Sequence, residues 1–528
     1  MFKVLISDNL SEEGQRILKA DPEVELDARE KVSPDELLKI IPEYDALIVR
    51  SDSKVTKEVL AAGKRLKVVG RAGVGLDNVD TPEATRRGVI VMNTPDGNTI
   101  STAEHTFSMI LALARNIPQA DASLRAGKWE RKKFMGTELY GKTLGVIGLG
   151  RIGTEVAKRA VAFGMRIMAY DPFVTQEKAE KQGFELATVE EIIVSADFIT
   201  VHTPKNKDTD GLIGKAQFEK MKPGVRIINC ARGGIIRQAD LREALKSGKV
   251  AGAALDVFEE EPPKDMELLT LPNVIVTPHL GASTEEAQVN VAIVMAEQIL
   301  DVLKGRMIRN AVNIPSIPTE LFKEMTPYLT LAERLSSFQA QVLDGQVKKI
   351  TLKYAGDVCA FPTNLLSVAA VKGLLSSMLS DTINFVNALV LAKERGIEVV
   401  ETSTKETQDF TSTFAVEVET DKSVRQIVGT LIGKKREPRV VSVFGFHTDF
   451  IPEGNLLVFT HTDEPGIVGR MGTMLGDAHV NIAALHMGRN QLGGDAVSIL
   501  NLDAGVPAEL LAKLTQTAKI KDIKLVKL

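Results

Sequence analysis

The run Gly141-Lys-Thr-Leu-Gly-Val-Ile-Gly-Leu-Gly-Arg-Ile-Gly153 decides the fold. Its apolar centre reads as a strand, and Gly148, Gly150 and Gly153 then fall at G-x-G-x-x-G spacing where a helix begins. The spacing alone is a weak signal, but between a strand and a helix it is the dinucleotide-binding fingerprint. The first glycine makes the tight turn, the second lets the backbone approach a pyrophosphate, and the third lets helix and strand pack. The helix start, with Arg151 and Ile152 in its first turn, offers unpaired N–H groups and a positive partial charge to phosphates. The next strand, Arg166–Tyr170, delivers Asp171 18 residues after Gly153, close to the spacing of about 20 expected for a ribose-binding acid. An acid there accepts from a free ribose 2′-OH and repels a 2′-phosphate. Pro172 and Phe173 add no cation, so NAD is expected rather than NADP.

Strands continue downstream at Phe198–Val201, Arg226–Asn229, Ala253–Asp256 and Val274–Val276. In an open parallel sheet, ligands lie beyond the carboxyl ends of strands. Those ends carry His202-Thr-Pro204, Cys230-Ala-Arg232, Val257-Phe258 and Thr277-Pro-His279. Hydride transfer at a 2-hydroxy acid needs a base near the hydroxyl with a pKa near neutrality. It also needs a cation for the carboxylate and an acid that orients the imidazole and raises its basicity. Arg232, Glu261 and a histidine meet these demands. Position alone does not choose between His202 and His279, and His105, inside a helix expected over Thr99–Asn116, is a poor third candidate.

Upstream, Lys3–Ile6, Ala46–Val49, Lys67–Val69 and Val89–Met92 read as strands. The helical patterns Ser11–Ala20, Pro34–Ile41, Thr56–Ala62 and Pro82–Arg87 alternate with them, capped by Ser11, Ser33, Thr56 and Thr81. The alternation implies a second doubly wound parallel sheet. Arg50 and Arg71 lie just past strands, and Gly73 and Gly75 are expected to expose N–H groups suited to a carboxylate. The helix Glu285–Lys304 is expected to return the chain to this first unit through Met295, Ile299, Leu300 and Leu303.

The runs Gly141–Gly153, Met221–Gly234 and Thr277-Pro-His-Leu-Gly-Ala282 make residues 1 to about 315 resemble the D-isomer-specific 2-hydroxyacid dehydrogenases. The resemblance implies that Arg232 binds the substrate carboxylate, that His279 shuttles the proton, and that Glu261 holds His279. It also implies that Thr203, Cys230, Ala231, Asp256 and Gly281 line the cofactor, together with Arg232 and His279. Trp129–Gly136 and Arg71–Asp80 resemble the branch of that family with a phosphorylated 2-hydroxy acid as substrate. Arg131 would then reach the substrate phosphate across a dimer interface, and Arg50, Arg71, Gly73 and Gly75 would complete the substrate site. Val74 departs from relatives that carry a threonine beside the nicotinamide. Hydroxypyruvate and glyoxylate reductases share the triad, and a non-catalytic NAD-sensing regulator shares the fold, so both readings stay open. Formate dehydrogenases carry Gln where Glu261 stands, which argues against that reaction.

Beyond the candidate linker Pro315-Ser-Ile-Pro318, Val347–Tyr354 and Thr413–Val418 alternate like half-buried strands and Asn364–Leu379 reads as a helix. The final residues read strand Asn455–His461, helix Pro465–Asp477, strands Asn481–Gly488 and Asp495–Leu502, helix Ala508–Ala518, strand Ile520–Lys527. That βαββαβ order is the split unit of ferredoxin-like folds, and with His461-Thr-Asp-Glu-Pro-Gly466 it resembles the ligand-sensing ACT domains. The resemblance places an amino-acid effector, L-serine, at His461, Asp463 and Asn481.

The fold class expected is therefore α/β with two doubly wound units. A flavodoxin-like substrate unit (1–98 with 284–315) and a Rossmann cofactor unit (99–283) precede an α+β intervening unit (316–452) and a ferredoxin-like unit (453–528). A length of 528 residues accommodates that number of cores. With 44% hydrophobic and 25% charged residues the chain has the composition of a soluble globular protein. A net charge of −4 gives no pull toward nucleic acid or anionic membrane. Two cysteines suit a reducing compartment, and no His/Cys spacing suggests a metal. The start Met1–Asp8 reads as a strand rather than a signal peptide, and no apolar run spans a bilayer. A cytoplasmic homo-oligomer, dimer or tetramer, is expected.

Overall fold

The computed structural model describes residues 1–306, 308–315, 319–379, 382–407, 409–517 and 519–528. From Ser316 on, the candidate linker lies outside the described residues, as does Ala518 at the expected end of the last helix. The first sheet runs Val24–Ala28, Phe2–Ile6, Ala46–Val49, Val68–Arg71, Ile90–Met92, all parallel. This is the flavodoxin-like order 2-1-3-4-5. Val4, Leu5, Ile6 and Ala46 to Val49 are buried, as the continuous apolar runs of a sheet covered on both faces require. The edge strand Val24–Ala28 was not expected, because Glu25 and Asp27 interrupt its apolar pattern. Edge strands carry such charges because one flank stays open. Ser33 accepts from the Glu36 N–H as expected, whereas Ser11 and Thr56 make no side-chain cap. Asp80, one residue before Thr81, caps the helix Thr81–Arg86.

The helix Glu285–Leu303 returns to this sheet, burying Met295, Ile299 and Leu303 in the same core. It approaches the helix Glu12–Lys19 so closely that a Cβ on Gly14 would stand 2.5 Å from the Ala292 carbonyl oxygen. The second sheet has seven parallel strands, ordered Val274–Val276, Val250–Leu255, Val225–Asn229, Phe198–Val201, Thr143–Ile147, Arg166–Tyr170, Glu185–Leu186. The order reverses between Thr143–Ile147 and Phe198–Val201, which opens a crevice at the carboxyl ends of those two strands.

The third sheet is six-stranded, ordered Glu398–Thr404, Val347–Gly356, Ser412–Thr420, Val424–Ile432, Glu437–Val443, Phe446–Phe450. It packs on the helices Thr319–Val342 and Thr363–Met378. The first of these carries Pro327 in its interior, a residue that reads as a breaker in sequence. The last sheet is ordered Ile482–Arg489, Asp495–Leu502, Asn455–Thr462, Ile520–Lys527 and is antiparallel. With the helices Ile467–Asp477 and Ala508–Thr515 it is the expected βαββαβ arrangement. Period-2 alternation gives its strands two apolar faces. Leu457, Phe459 and Leu500 pack on its own helices. Leu456, Val458, Val497, Ile499 and Val526 join the core that contains Leu331, Phe338 and Val416. The two C-terminal sheets thus share one core. Among the described residues no helix is long and apolar enough to cross a membrane.

Candidate active site

The ends of five strands and the loop Arg71–Asp80 enclose a cleft of about 440 Å³. His279 stands in the turn after Val274–Val276 with φ +57°, a left-handed conformation that costs a non-glycine residue roughly 1–3 kcal/mol unless its surroundings hold it. Asp256 holds it. Its backbone carbonyl accepts the His279 N–H at 3.0 Å. Its carboxylate accepts Leu280 N–H at 2.7 Å, Gly281 N–H at 2.9 Å and the Thr277 hydroxyl at 2.5 Å. Asp256 is 1% exposed. Burial pushes its carboxyl upward, but the bonds from His105, Thr277, Leu280 and Gly281 outweigh that and hold it below the ordinary range.

The turn aims the His279 ring at Glu261, with Nδ1 2.8 Å from Oε2. Glu261 is itself fixed by the Phe258 N–H, which donates to Oε1 at 3.1 Å. The bond to Glu261 raises the His279 pKa, against the effect of burial. Burial alone would raise the Glu261 carboxyl, but the bond and charge of His279 bring it below its usual value. With Nδ1 engaged, Nε2 is the ring atom left to exchange a proton with a ligand.

The structure separates the three histidines. His202 Nε2 lies 2.9 Å from the Thr200 hydroxyl, and burial pulls its pKa down to about 4. It has no carboxylate and stays neutral. His105 Nε2 lies 3.2 Å from the Thr277 hydroxyl and 3.3 Å from Asp256, so it serves the Asp256 scaffold. Burial pushes the Cys230 thiol up to about 12, which rules it out as a nucleophile.

Arg232 follows the strand Val225–Asn229, lines the cleft and bonds Asp77 of the facing loop, Nε to Oδ2, at 3.1 Å. Arg71 lies in the same charge field: burial, then Arg232 and Arg50, lower its pKa to about 10. Arg71 Nη2 donates to Ser51 at 3.1 Å, and its Nε is buried with no partner among the described residues. Arg50 donates to the Asn9 carbonyl at 3.0 Å. Gly73 acts differently from expectation. The Gly73 N–H closes a turn on the Arg71 carbonyl at 2.8 Å and is not offered to a carboxylate. Gly73, at φ +152°, instead makes room for a guanidinium, since a Cβ there would stand 1.7 Å from Arg71 Nη1. Gly75 and Val74 line the cleft. Arg131 does not line it; it stands exposed on the turn Arg131–Phe134.

The glycine turn is shaped for a dinucleotide. A Cβ on Gly148 would meet the His202 carbonyl oxygen at 2.6 Å, and one on Gly153 the Gly148 carbonyl oxygen at 2.0 Å. Gly150, the first residue before the helix Arg151–Ala162, faces open space. Asp171 is tied to this turn through the Leu149 N–H at 2.9 Å. Arg151 and Ile152 line the cleft with Thr203, Cys230, Ala231, Asp256 and Gly281. The side-chain oxygens of Asn98, Thr102 and Thr203, also on its wall, are buried and find no partner among the described residues. Buried polar atoms of this kind are satisfied by a ligand or water, so the residues present fit NAD. Arg151 also pairs with Asp96 at 2.5 Å. Sequence reasoning missed Asp77 and Asp96; Asp77 lies inside the Arg71–Asp80 run, and only the fold shows that it faces Arg232.

In the C-terminal sheet, His461 is removed from the expected effector set. It is 1% exposed, its Nδ1 lies 2.9 Å from the Thr462 carbonyl and its Nε2 2.9 Å from Ser498. Both ring nitrogens are spent inside the sheet. Asp463 accepts from Arg489 at 2.7 Å, and Asn481 donates to Asp503 at 2.7 Å.

Fold and cleft together define a class, the nicotinamide-dependent dehydrogenases of 2-hydroxy acids. Residues 107–281 match the NAD binding domain of D-isomer specific 2-hydroxyacid dehydrogenases, and residues 324–444 match the D-3-phosphoglycerate dehydrogenase intervening domain. The chain is 49% identical to the D-3-phosphoglycerate dehydrogenase of Methanocaldococcus jannaschii and 45% identical to that of Bacillus subtilis, over 100% of both chains in each case. It belongs to the D-3-phosphoglycerate dehydrogenase family. A solved D-lactate dehydrogenase from Aquifex aeolicus, complexed with NAD and lactic acid, is 29% identical with a TM-score of 0.53, covering 59% of this chain and 100% of that one. A glyoxylate reductase from Paecilomyes thermophila is 29% identical with a TM-score of 0.55, covering 59% and 98%.

Proposed function

We propose that the chain oxidises D-3-phosphoglycerate to 3-phosphohydroxypyruvate with NAD, the first step of the phosphorylated route to L-serine. The observation that carries this reading is the charge field that Arg50 and Arg71 share with Arg232, the member that lines the cleft with His279. One carboxylate uses one guanidinium; three suit an anion with both a carboxylate and a phosphate. The cluster favours a phosphorylated substrate over glyoxylate or unphosphorylated hydroxypyruvate. The paired histidine and glutamate favour an enzyme over a silent NAD sensor.

In this reading Arg232 holds the substrate carboxylate and stabilises negative charge developing on the C2 oxygen. His279 Nε2 accepts the proton of the C2 hydroxyl, and Glu261 stabilises the imidazolium that results. Bound NAD supplies the hydride acceptor, with its pyrophosphate held at Gly148, Gly150, Arg151, Ile152 and Gly153 and its ribose at Asp171. Thr203, Cys230, Ala231, Asp256 and Gly281 wall the cofactor. The chain divides into a substrate unit (1–98 with 284–315), a cofactor unit (99–283), an intervening unit (316–452) and an ACT unit (453–528). A small amino acid, L-serine, binds the ACT unit around Asp463 and Asn481; the βαββαβ order supports this. The exposed apolar side chains Ile117, Leu124, Trp129, Met135 and Tyr140 support a homo-oligomer joined through the segment 117–140, where Arg131 would reach a neighbour's substrate phosphate.

The test is selectivity. Arg50→Ala is expected to lower kcat/KM for D-3-phosphoglycerate by about tenfold or more, the scale of one charge-assisted hydrogen bond of ~1.5–3 kcal/mol. Glyoxylate reduction by the same variant is expected to change less than twofold. Equal losses on both substrates would remove Arg50 from the phosphate site and weaken the case for a phosphorylated substrate.

A further inference from the structure

Arg232 already has a carboxylate partner. Its Nε lies 3.1 Å from Asp77 Oδ2, and its Nη1 donates to the Ala231 carbonyl at 2.7 Å. The backbones under both side chains are pinned. Asn229 donates to the Arg232 carbonyl at 2.9 Å and accepts the Ala231 N–H at 3.1 Å. In the facing loop, Asn93 holds the Val74 carbonyl at 2.6 Å, and the Asn78 side chain donates to the carbonyls of Arg50 at 2.5 Å and Ser53 at 2.6 Å. Gly75 lets the guanidinium approach, since a Cβ there would stand 2.1 Å from Nη2. The two side chains differ in exposure: Arg232 is 27% exposed and Asp77 70%. Asp77 is therefore the member able to swing away without moving its loop, and a pair with so exposed a partner is weak.

We propose that Asp77 is a resident carboxylate on Arg232 that the carboxylate of the substrate displaces, an internal competitor at the carboxylate subsite. The inference rests on Arg232 being the substrate's carboxylate anchor. Asp77 and substrate contend for one guanidinium, so the pair lowers the apparent affinity for the 2-hydroxy acid by its own strength, roughly two- to fivefold for an exposed ion pair. The cost falls alike on every ligand that takes Arg232, and contacts elsewhere, here with Arg50 and Arg71, offset it.

Inhibition of NAD-dependent D-3-phosphoglycerate oxidation by oxalate and by inorganic phosphate tests this in the full-length chain and its Asp77→Asn and Arg232→Lys variants. Asp77→Asn is expected to tighten oxalate inhibition and lower the substrate KM by roughly two- to fivefold, with phosphate inhibition tightened less, since Asp77 reaches Arg71 only through the shared charge field. Equal tightening of oxalate and phosphate would mean that only the general field of the cleft had changed, and would overturn the proposal. Unchanged or weaker oxalate inhibition would overturn it as well, leaving Asp77 as a residue that orients Arg232. Arg232→Lys tells the two layers apart. If oxalate inhibits it as well as the parent, the assignment of Arg232 fails; if oxalate weakens there but does not tighten in Asp77→Asn, only the role of Asp77 fails.

Discussion

His279→Ala is expected to lower kcat for D-3-phosphoglycerate oxidation by about 10²–10⁴-fold, the usual contribution of a positioned general base. NADH affinity, measured by fluorescence titration, is expected to hold within about twofold, because the pyrophosphate turn lies on other strands. The size of the loss follows from the geometry. No neighbouring group replaces the base: His202 is held neutral by burial, and His105 faces Asp256 and Thr277. Glu261→Gln separates positioning from basicity. An amide can still bond Nδ1, yet it cannot stabilise the imidazolium. Oxidation requires His279 unprotonated, and its pKa is raised chiefly by Glu261. The oxidation rate therefore climbs with pH past the ordinary histidine range, and the reverse reduction, which needs the protonated ring, declines over the same interval. Glu261→Gln removes the raising cause, so both limbs are expected to move toward acid, with kcat for oxidation reduced by roughly tenfold or more. A pH profile that stays in place would dissociate Glu261 from the base.

Arg232→Ala is the second large effect. It removes the guanidinium from a ligand carboxylate and leaves that carboxylate unpaired in a partly buried cleft. The loss of one partner in such a pair is worth about 2–5 kcal/mol, so kcat/KM is expected to fall by about 30- to several thousandfold. Both kcat and KM carry the loss, because the same side chain binds the carboxylate and stabilises charge on the adjacent oxygen. Arg232→Lys is expected to restore only part of it, since an ammonium lacks the planar fork that bonds a carboxylate twice. Steady-state rates over a range of substrate concentrations check both variants. Recovery to the parental kcat/KM in Arg232→Lys would argue for a simple charge and against an anchored carboxylate.

The parallel sheets were readable because their strands are buried on both faces and therefore apolar without interruption, as in Ala46–Val49 and Phe198–Val201. The strand Val24–Ala28 hid behind its charges, and the helix Thr319–Val342 behind Pro327. Position in sequence gave the strand ends that build the cleft. It did not separate His202 from His279, because the choice depends on burial and on which ring finds a carboxylate. Asp256 shows the same limit: its place at a strand end is readable, but its grip on the His279 turn needs the contacts of Leu280 and Gly281. Gly73 reads as anion-binding backbone, whereas its N–H closes a turn on Arg71 and its lack of a side chain serves that guanidinium. His461 looked like a ligand position from its motif and is a buried member of the sheet. Pairings across the cleft, such as Arg232 with Asp77 and Arg151 with Asp96, join residues far apart in sequence, and no local pattern marks them.

Arg50, Arg71 and Arg232 are expected to select a phosphorylated 2-hydroxy acid for the His279–Glu261 pair. Initial rates of NADH oxidation with 3-phosphohydroxypyruvate, hydroxypyruvate and glyoxylate, at equal enzyme concentration, test it most directly. The kcat/KM for 3-phosphohydroxypyruvate is expected to exceed both others by about 10²-fold or more, the worth of two charge-assisted contacts to the phosphate. Equal kcat/KM for 3-phosphohydroxypyruvate and hydroxypyruvate would contradict it.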